Sequence, residues 1–295
     1  MRKGVILVGL IIAIMLCSMF IGCDKQDEIV VPEGLNISIM SYNIRQDTAF
    51  DSNERDWGYR KEYLINHIKE QSPDILCMQE VQKKQNNDLV SALEDYDIVW
   101  YSRKVDESQE GLSIAYKKDV YELVSKDMFW LSETPNQESK GFGAGFLRIC
   151  VHAVLRHKEL QKNLSVYSVH LEVTSEKARK SEIAMIIDRI NADENYAIVC
   201  GDFNTTKESE SYQMISNVMN SVQYYAPYTD DGITYQDYGG NMVSFDDPID
   251  FIFVDKNIFS YKFDILDEHK EIDGKSVYYS DHYAIKAEVI VPEWK

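Results

Sequence analysis

The sequence predicts an α/β chain built on mixed sheets, and two observations lead there. Short apolar, β-branched runs bounded by turn residues recur from residue 35 to the C-terminus, interrupted by stretches of helical periodicity. The helices do not separate every strand, however. The runs at 111–117, 146–156 and 163–171 follow one another with no helical segment between them. That implies antiparallel neighbours and excludes a clean doubly wound parallel sheet.

Strand candidates in order are 35–42, 74–81, 96–101, 111–117, 146–156, 163–171, 196–201, 249–254 and 283–291. One helix is expected from Tyr59 to Gln71, halting before Pro73. Another runs from Ser175 to Asn191, with Ile183, Ile186, Ile187 and Ile190 at helical spacing. No internal repeat, low-complexity tract or second linker breaks this region, so a single domain is assigned to 35–295. Of the 295 residues 44% are hydrophobic and 27% charged, which leaves enough apolar side chain for a sizeable core.

The N-terminus reads differently. Arg2 and Lys3 precede an apolar run from Val5 to Ile21, and Gly22-Cys23 follows. This is the pattern of an export signal, and it resembles the bacterial lipoprotein signal. Residues 1–22 are therefore expected to be removed, Cys23 to be lipidated, and the polar, acidic stretch 23–34 to serve as a tether. A plain signal anchor is the alternative. The expected location is a bacterial membrane, with the outer membrane favoured on either its periplasmic or its surface face. Cys77, Cys150 and Cys200 each lie in an apolar strand-like run and read as buried thiols rather than zinc ligands. The formal net charge of −18 argues against a broad, sequence-independent grip on a nucleic-acid backbone. It leaves room for a phosphate substrate neutralised locally by a divalent cation.

Polar residues gather where strand candidates end, the usual place for a site in such folds. Asn43 and Arg45 close the first strand: an amide and a phosphate clamp, or a turn and a surface cation. Glu80 ends an otherwise apolar strand, where a lone carboxylate is costly without a partner. His170 ends another strand; such a histidine is more often a satisfied core residue. Gly201-Asp202-Phe203-Asn204 takes a buried strand into a turn that can aim an acid and an amide into one pocket, although all three polar types also form ordinary turns. Asp250 stands at the mouth of an apolar strand, where it could orient a histidine. Asp281-His282 precedes the last strand and could bind metal or accept a proton near neutrality.

Taken in order, Asn43, Glu80, His170, Asp202, Asn204, Asp250, Asp281 and His282 resemble the endonuclease/exonuclease/phosphatase superfamily, over nearly all of 36–291. Gly-Asp-Phe-Asn, Asp-Phe-Ile-Phe-Val and Ser-Asp-His carry the likeness, and Phe129 to Pro135 with Arg148 resembles a bacterial subgroup. The resemblance implies a deoxyribonuclease I-like fold, a four-layer sandwich of two packed mixed sheets flanked by helices. It also implies hydrolysis of a phosphodiester or phosphomonoester. Glu80 would be the principal Mg ligand, with Asn43 and Asp281 close by and Mn as the alternative ion. His282 would be the general base, oriented by Asp250. Asp202 and Asn204 would position water and phosphate, His170 would donate to the phosphoryl oxygens, and Arg45 and Arg148 would bind the substrate phosphate. The implied substrates are a nucleic acid, a phospholipid headgroup, or a sugar or inositol phosphate, acted on by a monomer. The sequence departs from the family pattern at Glu172-Val173 and at Gln236, positions near substrate choice. The competing expectation is a catalytically inactive surface binding lipoprotein on the same fold, which would show erosion of these positions. The Tyr-rich stretch 224–238 reads either as a stacking platform or as a packed aromatic loop.

Overall fold

Strands 35–42, 74–81 and 196–201 carry apolar residues at both odd and even positions, which suits strands covered on both faces. The computed structural model describes residues 29–240 and 245–292, and from Val31 onward the chain packs as one unit. The expectations for residues 1–22 and for lipidation of Cys23 lie outside the described residues. No helix among those described is long and apolar enough to cross a membrane.

The strands are β1 (Leu35–Asn43), β2 (Ile75–Val81), β3 (Tyr96–Ser102), β4 (Gly111–Lys117), β5 (Tyr121–Trp130), β6 (Ile149–His157), β7 (Lys162–His170), β8 (Tyr196–Asp202), β9 (Met219–Ser221), β10 (Tyr228–Thr229), β11 (Asp250–Asp255), β12 (Phe259–Leu266), β13 (Lys270–Ile272), β14 (Lys275–Val277) and β15 (Ala284–Val291). The helices are α1 (Trp57–Gln71), α2 (Lys83–Ala92), α3 (Glu176–Asn191), α4 (Glu210–Ser216) and α5 (Val222–Tyr225). One sheet runs β10-β12-β15-β1-β2-β4-β3 and the other β5-β6-β7-β8-β11-β9. Both are mixed: β1 pairs with β2, and β7 with β8, in parallel, while most other neighbours are antiparallel. All nine predicted strands form, and the expected antiparallel pairing of β6 with β7 holds. The neighbouring strand β4 departs from it, because it crosses to the other sheet and pairs with β2 and β3.

The sheets pack face to face. Ile37, Ile39, Ile75 and Cys77 of the first meet Val151, Val166, Ile198 and Cys200 of the second in one core. Alternate residues of the same strands face the helices: Met40, Leu76 and Met78 meet Leu64 and Ile68 of α1 and Leu89 of α2, whereas Val169 and Val199 meet Ile183 and Ile186 of α3. Each central strand therefore has two buried faces, and the layers are helix, sheet, sheet, helix. Fully burying a Leu or Ile side chain is worth roughly 1.5–3 kcal/mol, so these three apolar seams dominate the favourable side of folding.

Local signals set the helix ends. The Asp56 carboxylate accepts from Gly58 N at the start of α1. Ser72, at φ 42, then turns the chain out before Pro73. Ser175 Oγ caps α3 by accepting from Ala178 N. Gly201 has φ 155, and a Cβ there would lie 1.9 Å from Val169 O, so only glycine lets β7 and β8 approach this closely as they enter the site.

Candidate active site

The predicted residues converge because they continue the inward faces of the two sheets. In the second sheet His170 pairs with Asp202, and Asp202 with Asp250, so the three side chains stand in one row across β7, β8 and β11. Each has the parity of core residues on its own strand, such as Val166, Cys200 and Ile252. Asn43 likewise follows Ile37 and Ile39 on the inward face of β1. The polar cluster is thus the end of the apolar core between the sheets.

Glu80 reaches the site by a different route. Strict alternation would point it to the helix side with Leu76 and Met78. The register with β4 shifts between Met78 and Val81, and Glu80 adopts φ 61. This irregularity re-aims the carboxylate toward the other acids. A left-handed non-glycine residue costs on the order of 1 kcal/mol or more, a strain found mostly at functional positions.

The contacts are close. Asn43 Nδ2 donates to Glu80 Oε1 at 3.3 Å and to Asp202 Oδ2 at 3.1 Å, and lies 3.4 Å from His282 Nε2. Its Oδ1 accepts from Arg45 N. In this rotamer Asn43 is a donor that holds the carboxylates; acting as a metal ligand through oxygen would require turning the amide. Gln46 N donates to Glu80 Oε2 at 3.0 Å. His282 Nδ1 lies 2.9 Å from Asp250 Oδ2, and its Nε2 is 3.7 Å from Asp202 Oδ2. His170 Nε2 is 3.5 Å from the same oxygen. Asn204 N donates to Asp202 Oδ1 at 2.8 Å, and its side-chain amide donates to Leu171 O. Arg45 pairs with Asp51 and lies 3.6 Å from Asp281 Oδ2. Arg148 Nε is 3.9 Å from Glu172 Oε2.

Residues to which the sequence assigned no positioning role hold this geometry. Ser280 Oγ donates to Asn43 O at 2.6 Å, joining the last turn to β1. Thr234 Oγ1 accepts from Ile249 N and Asp250 N, and Gln236 Nε2 donates to Ser280 O. The departure at Gln236 is therefore a clasp on the Ser280–His282 turn. Glu172 accepts from Phe146 N and from both donors of Thr174, which fixes the loop beside Arg148. Arg60, fully buried on α1, donates to the carbonyls of Ile44, Arg45, Arg55 and Tyr279. Of the Tyr-rich stretch, Tyr235 reaches the cavity and sets its ring edge-on to His282 at 5.1 Å, whereas Tyr224, Tyr225 and Tyr228 are exposed.

A cavity of about 310 Å³ opens over these groups. Burial pulls the His282 imidazole down, but Asp250, by charge and hydrogen bond, and then Asp202 and Asp281 outweigh it and push it up to about 10. Burial, and next the charge of Asp250, push Asp202 up to about 7 against the pull of His282. Burial also raises Asp281. His170 is held well below the usual histidine range by burial and by Arg148.

Two groups could hold a cation. Glu80 and Asp281, with Asn43 beside them, present hard oxygen donors of the kind magnesium takes. Asp202, Asp250 and His282 bring their ligand atoms within 4.8 Å of one another. A His282 that carries a proton competes with metal at the second position.

A family profile described as Endonuclease/Exonuclease/phosphatase matches residues 40–282. The chain belongs to this family. A solved endonuclease/exonuclease/phosphatase from Bacteroides vulgatus shares 30% identity at a TM-score of 0.80, over 88% of this chain and 100% of that one. A mannosyl-6-phosphatase from Bacteroides thetaiotaomicron shares 26% identity at a TM-score of 0.80, over 86% of this chain and 99% of the other. The CCR4-Not 3'-5'-exoribonuclease subunit Ccr4 of Mycosarcoma maydis is 25% identical over 66% of this chain; the match spans 37% of that longer protein. Relatives in the family act on phosphate esters, nucleic acids among them, and the family generally depends on a divalent metal. The deoxyribonuclease I-like sandwich is the fold of these neighbours.

Proposed function

We propose that this chain hydrolyses a phosphomonoester or phosphodiester with a divalent cation, Mg or alternatively Mn, held by Glu80 and Asp281. One observation carries the reading: His282 sits between Asp250 and Asp202 at the floor of the cavity, with His170 and Asn204 on the same wall. A bound cation would supply positive charge to the phosphoryl oxygens. Asp250 fixes the His282 ring so that Nε2 faces the cavity, where it takes a proton from the attacking water. Asp202 and Asn204 place that water, and neutral His170 donates to the phosphate as charge builds.

The electrostatics favour a second assignment of the proton. Asp250, Asp202 and Asp281 favour the protonated form of His282, while burial and the charge of Asp250 hold Asp202 up at about 7. Asp202 would then accept the proton, with His282 stabilising the developing charge; the pair titrates as one unit. The mannosyl-6-phosphatase neighbour supports a small phosphate ester as substrate, and the net charge of −18 weighs against long nucleic acid. Every position expected for catalysis is filled, which weighs against an inactive binding protein.

The deciding experiment assays purified 24–295 on mono- and diesters with Mg, with and without chelator. No turnover of any ester with normal metal binding would leave the binding-protein reading. The export signal and lipidated Cys23 are part of the same proposal: Cys23→Ala should move the protein from the membrane fraction to the soluble one.

A further inference from the structure

The cavity has an acidic side, where Arg45 stands beside Asp281, and a side with two arginines, where Glu110 stands beside Arg103. Glu80, Asp202 and Asp281 form one; Arg103 and Arg148 form the other, with His170 between them. Arg103 follows β3 and Arg148 precedes β6, so each sheet contributes one cation. Glu110 and Glu172 hold the two guanidiniums, but unequally. Arg103 Nη1 lies 2.5 Å from Glu110 Oε1, and Arg103 Nε donates to Gln109. Arg148 reaches no closer than 3.9 Å to Glu172, and its buried Nε has no hydrogen-bond partner among the described residues. The Arg148 side chain is 6% exposed. A buried guanidinium with an orphaned donor is costly unless a ligand completes it.

The half-exposed Phe146 partly covers the same end. Phe146 lies over both cations, its ring centre 5.8 Å from the Arg103 guanidinium and 5.4 Å from that of Arg148. Beyond them, bounded by Leu112, Leu147 and Ile149, the space narrows to a recess of about 10 Å³. A recess of that size holds about one water and passes no ester chain. An anion held here therefore cannot extend inward past the two arginines.

We propose that Arg103 and Arg148 form an anion subsite for a terminal, doubly charged phosphate, so that the preferred substrate is a phosphomonoester rather than an internal diester. The inference rests on the phosphoesterase reading and narrows its substrate. A diester carries one negative charge, and a monoester near neutral pH approaches two. Planar guanidinium donors match the extra oxygen. In a chain of net charge −18, local cations must do the attracting.

The test has a kinetic arm and a binding arm. p-Nitrophenyl phosphate and bis(p-nitrophenyl) phosphate are compared with Mg present, for the unaltered protein, Arg148→Met, Arg148→Lys and the paired Arg103→Gln/Glu110→Gln. Inorganic phosphate binding is measured by calorimetry on each. The monoester-to-diester ratio of kcat/KM should fall at least about tenfold in Arg148→Met and in the paired variant, and phosphate affinity should fall by a similar factor. Arg148→Lys keeps the charge beside Glu172 and loses the fork, so it should fall between; it also guards against a Met variant that does not fold. A wild-type preference for the diester overturns the proposal, as do variants that keep both the ratio and the phosphate affinity. Phosphate binding that depends on the arginines without turnover of either ester supports the subsite and overturns the hydrolase reading.

Discussion

His282 Nδ1 and Asp250 Oδ2 stand 2.9 Å apart with both side chains buried, while the other oxygen of Asp250 has no hydrogen-bond partner among the described residues. The aspartate spends its one good contact on the imidazole. His282→Ala should therefore lower kcat by about 10²–10⁴, the usual range for a lost acid–base group, and leave the far-ultraviolet circular dichroism unchanged. Asp250→Asn should lower kcat less than the loss of the ring itself. Near-full turnover in His282→Ala would remove this histidine from the chemistry.

Glu80 turns into the site through a left-handed backbone, so its carboxylate was placed at a cost in strain. Glu80→Gln keeps the shape and removes the charge. The Mg concentration for half-maximal rate should rise at least about tenfold, with a smaller change in KM for substrate. A metal titration that matches the unaltered protein would place the cation elsewhere, with Asp202, Asp250 and His282 the next candidates.

Arg60 ties α1 to the turns that carry Arg45 and Asp281 through four carbonyl contacts. Lysine cannot span them. Arg60→Lys should cost roughly 2–4 kcal/mol in urea unfolding, since several buried carbonyls lose a charged donor. It should also weaken Mg activation, which a purely structural loss would leave alone.

Glu182 is fully buried on α3, and its Oε2 accepts from Glu172 N. Burial pushes its carboxyl up to about 7, against that hydrogen bond and Arg148. The folded pKa lies above the unfolded value, so between pH 4.5 and 7 the folded state holds the extra proton. This contribution is present below pH 4.5 and is lost as pH rises through 7. Glu182→Gln is immune to the change. The stability of the variant relative to the unaltered protein should rise between pH 5 and pH 8 by roughly 2–3 kcal/mol. A constant difference across that range would mean that Glu182 titrates normally.

Much of this architecture was legible because central strands of a two-sheet sandwich are apolar on both faces until they enter the site, as in Ile75–Met78 and Tyr196–Cys200. The peripheral elements were not. In β12 the bulge between Ser260 and Lys262 breaks the alternation, and β5 is an edge strand with a half-exposed middle. The α2 helix buries only Gln85 and Leu89, so no apolar stripe marks it; its signal is the reciprocal cap between Gln82 and Gln85. The side chains of the candidate site were legible as a sequence order. Their alignment across β7, β8 and β11 follows from pairing register, which no local pattern records. Arg60, Arg103 and Glu110 could not be found from sequence, because they matter only through which loop each meets. Reading Asn43 as a ligand also needed the rotamer, which aims its nitrogen inward.

Cys77 and Cys200 belong to opposite sheets and meet in the same core, each without measurable exposure, and burial holds the Cys200 thiol well above its usual range. An alkylating reagent can reach this pair only when the sheets part. Its rate of uptake is thus a stopwatch for the opening of the sandwich, independent of turnover. Substrate analogues that bridge the acidic side and the two-arginine side of the cavity span both sheets, and they should slow that stopwatch in proportion to how tightly they hold the two halves together.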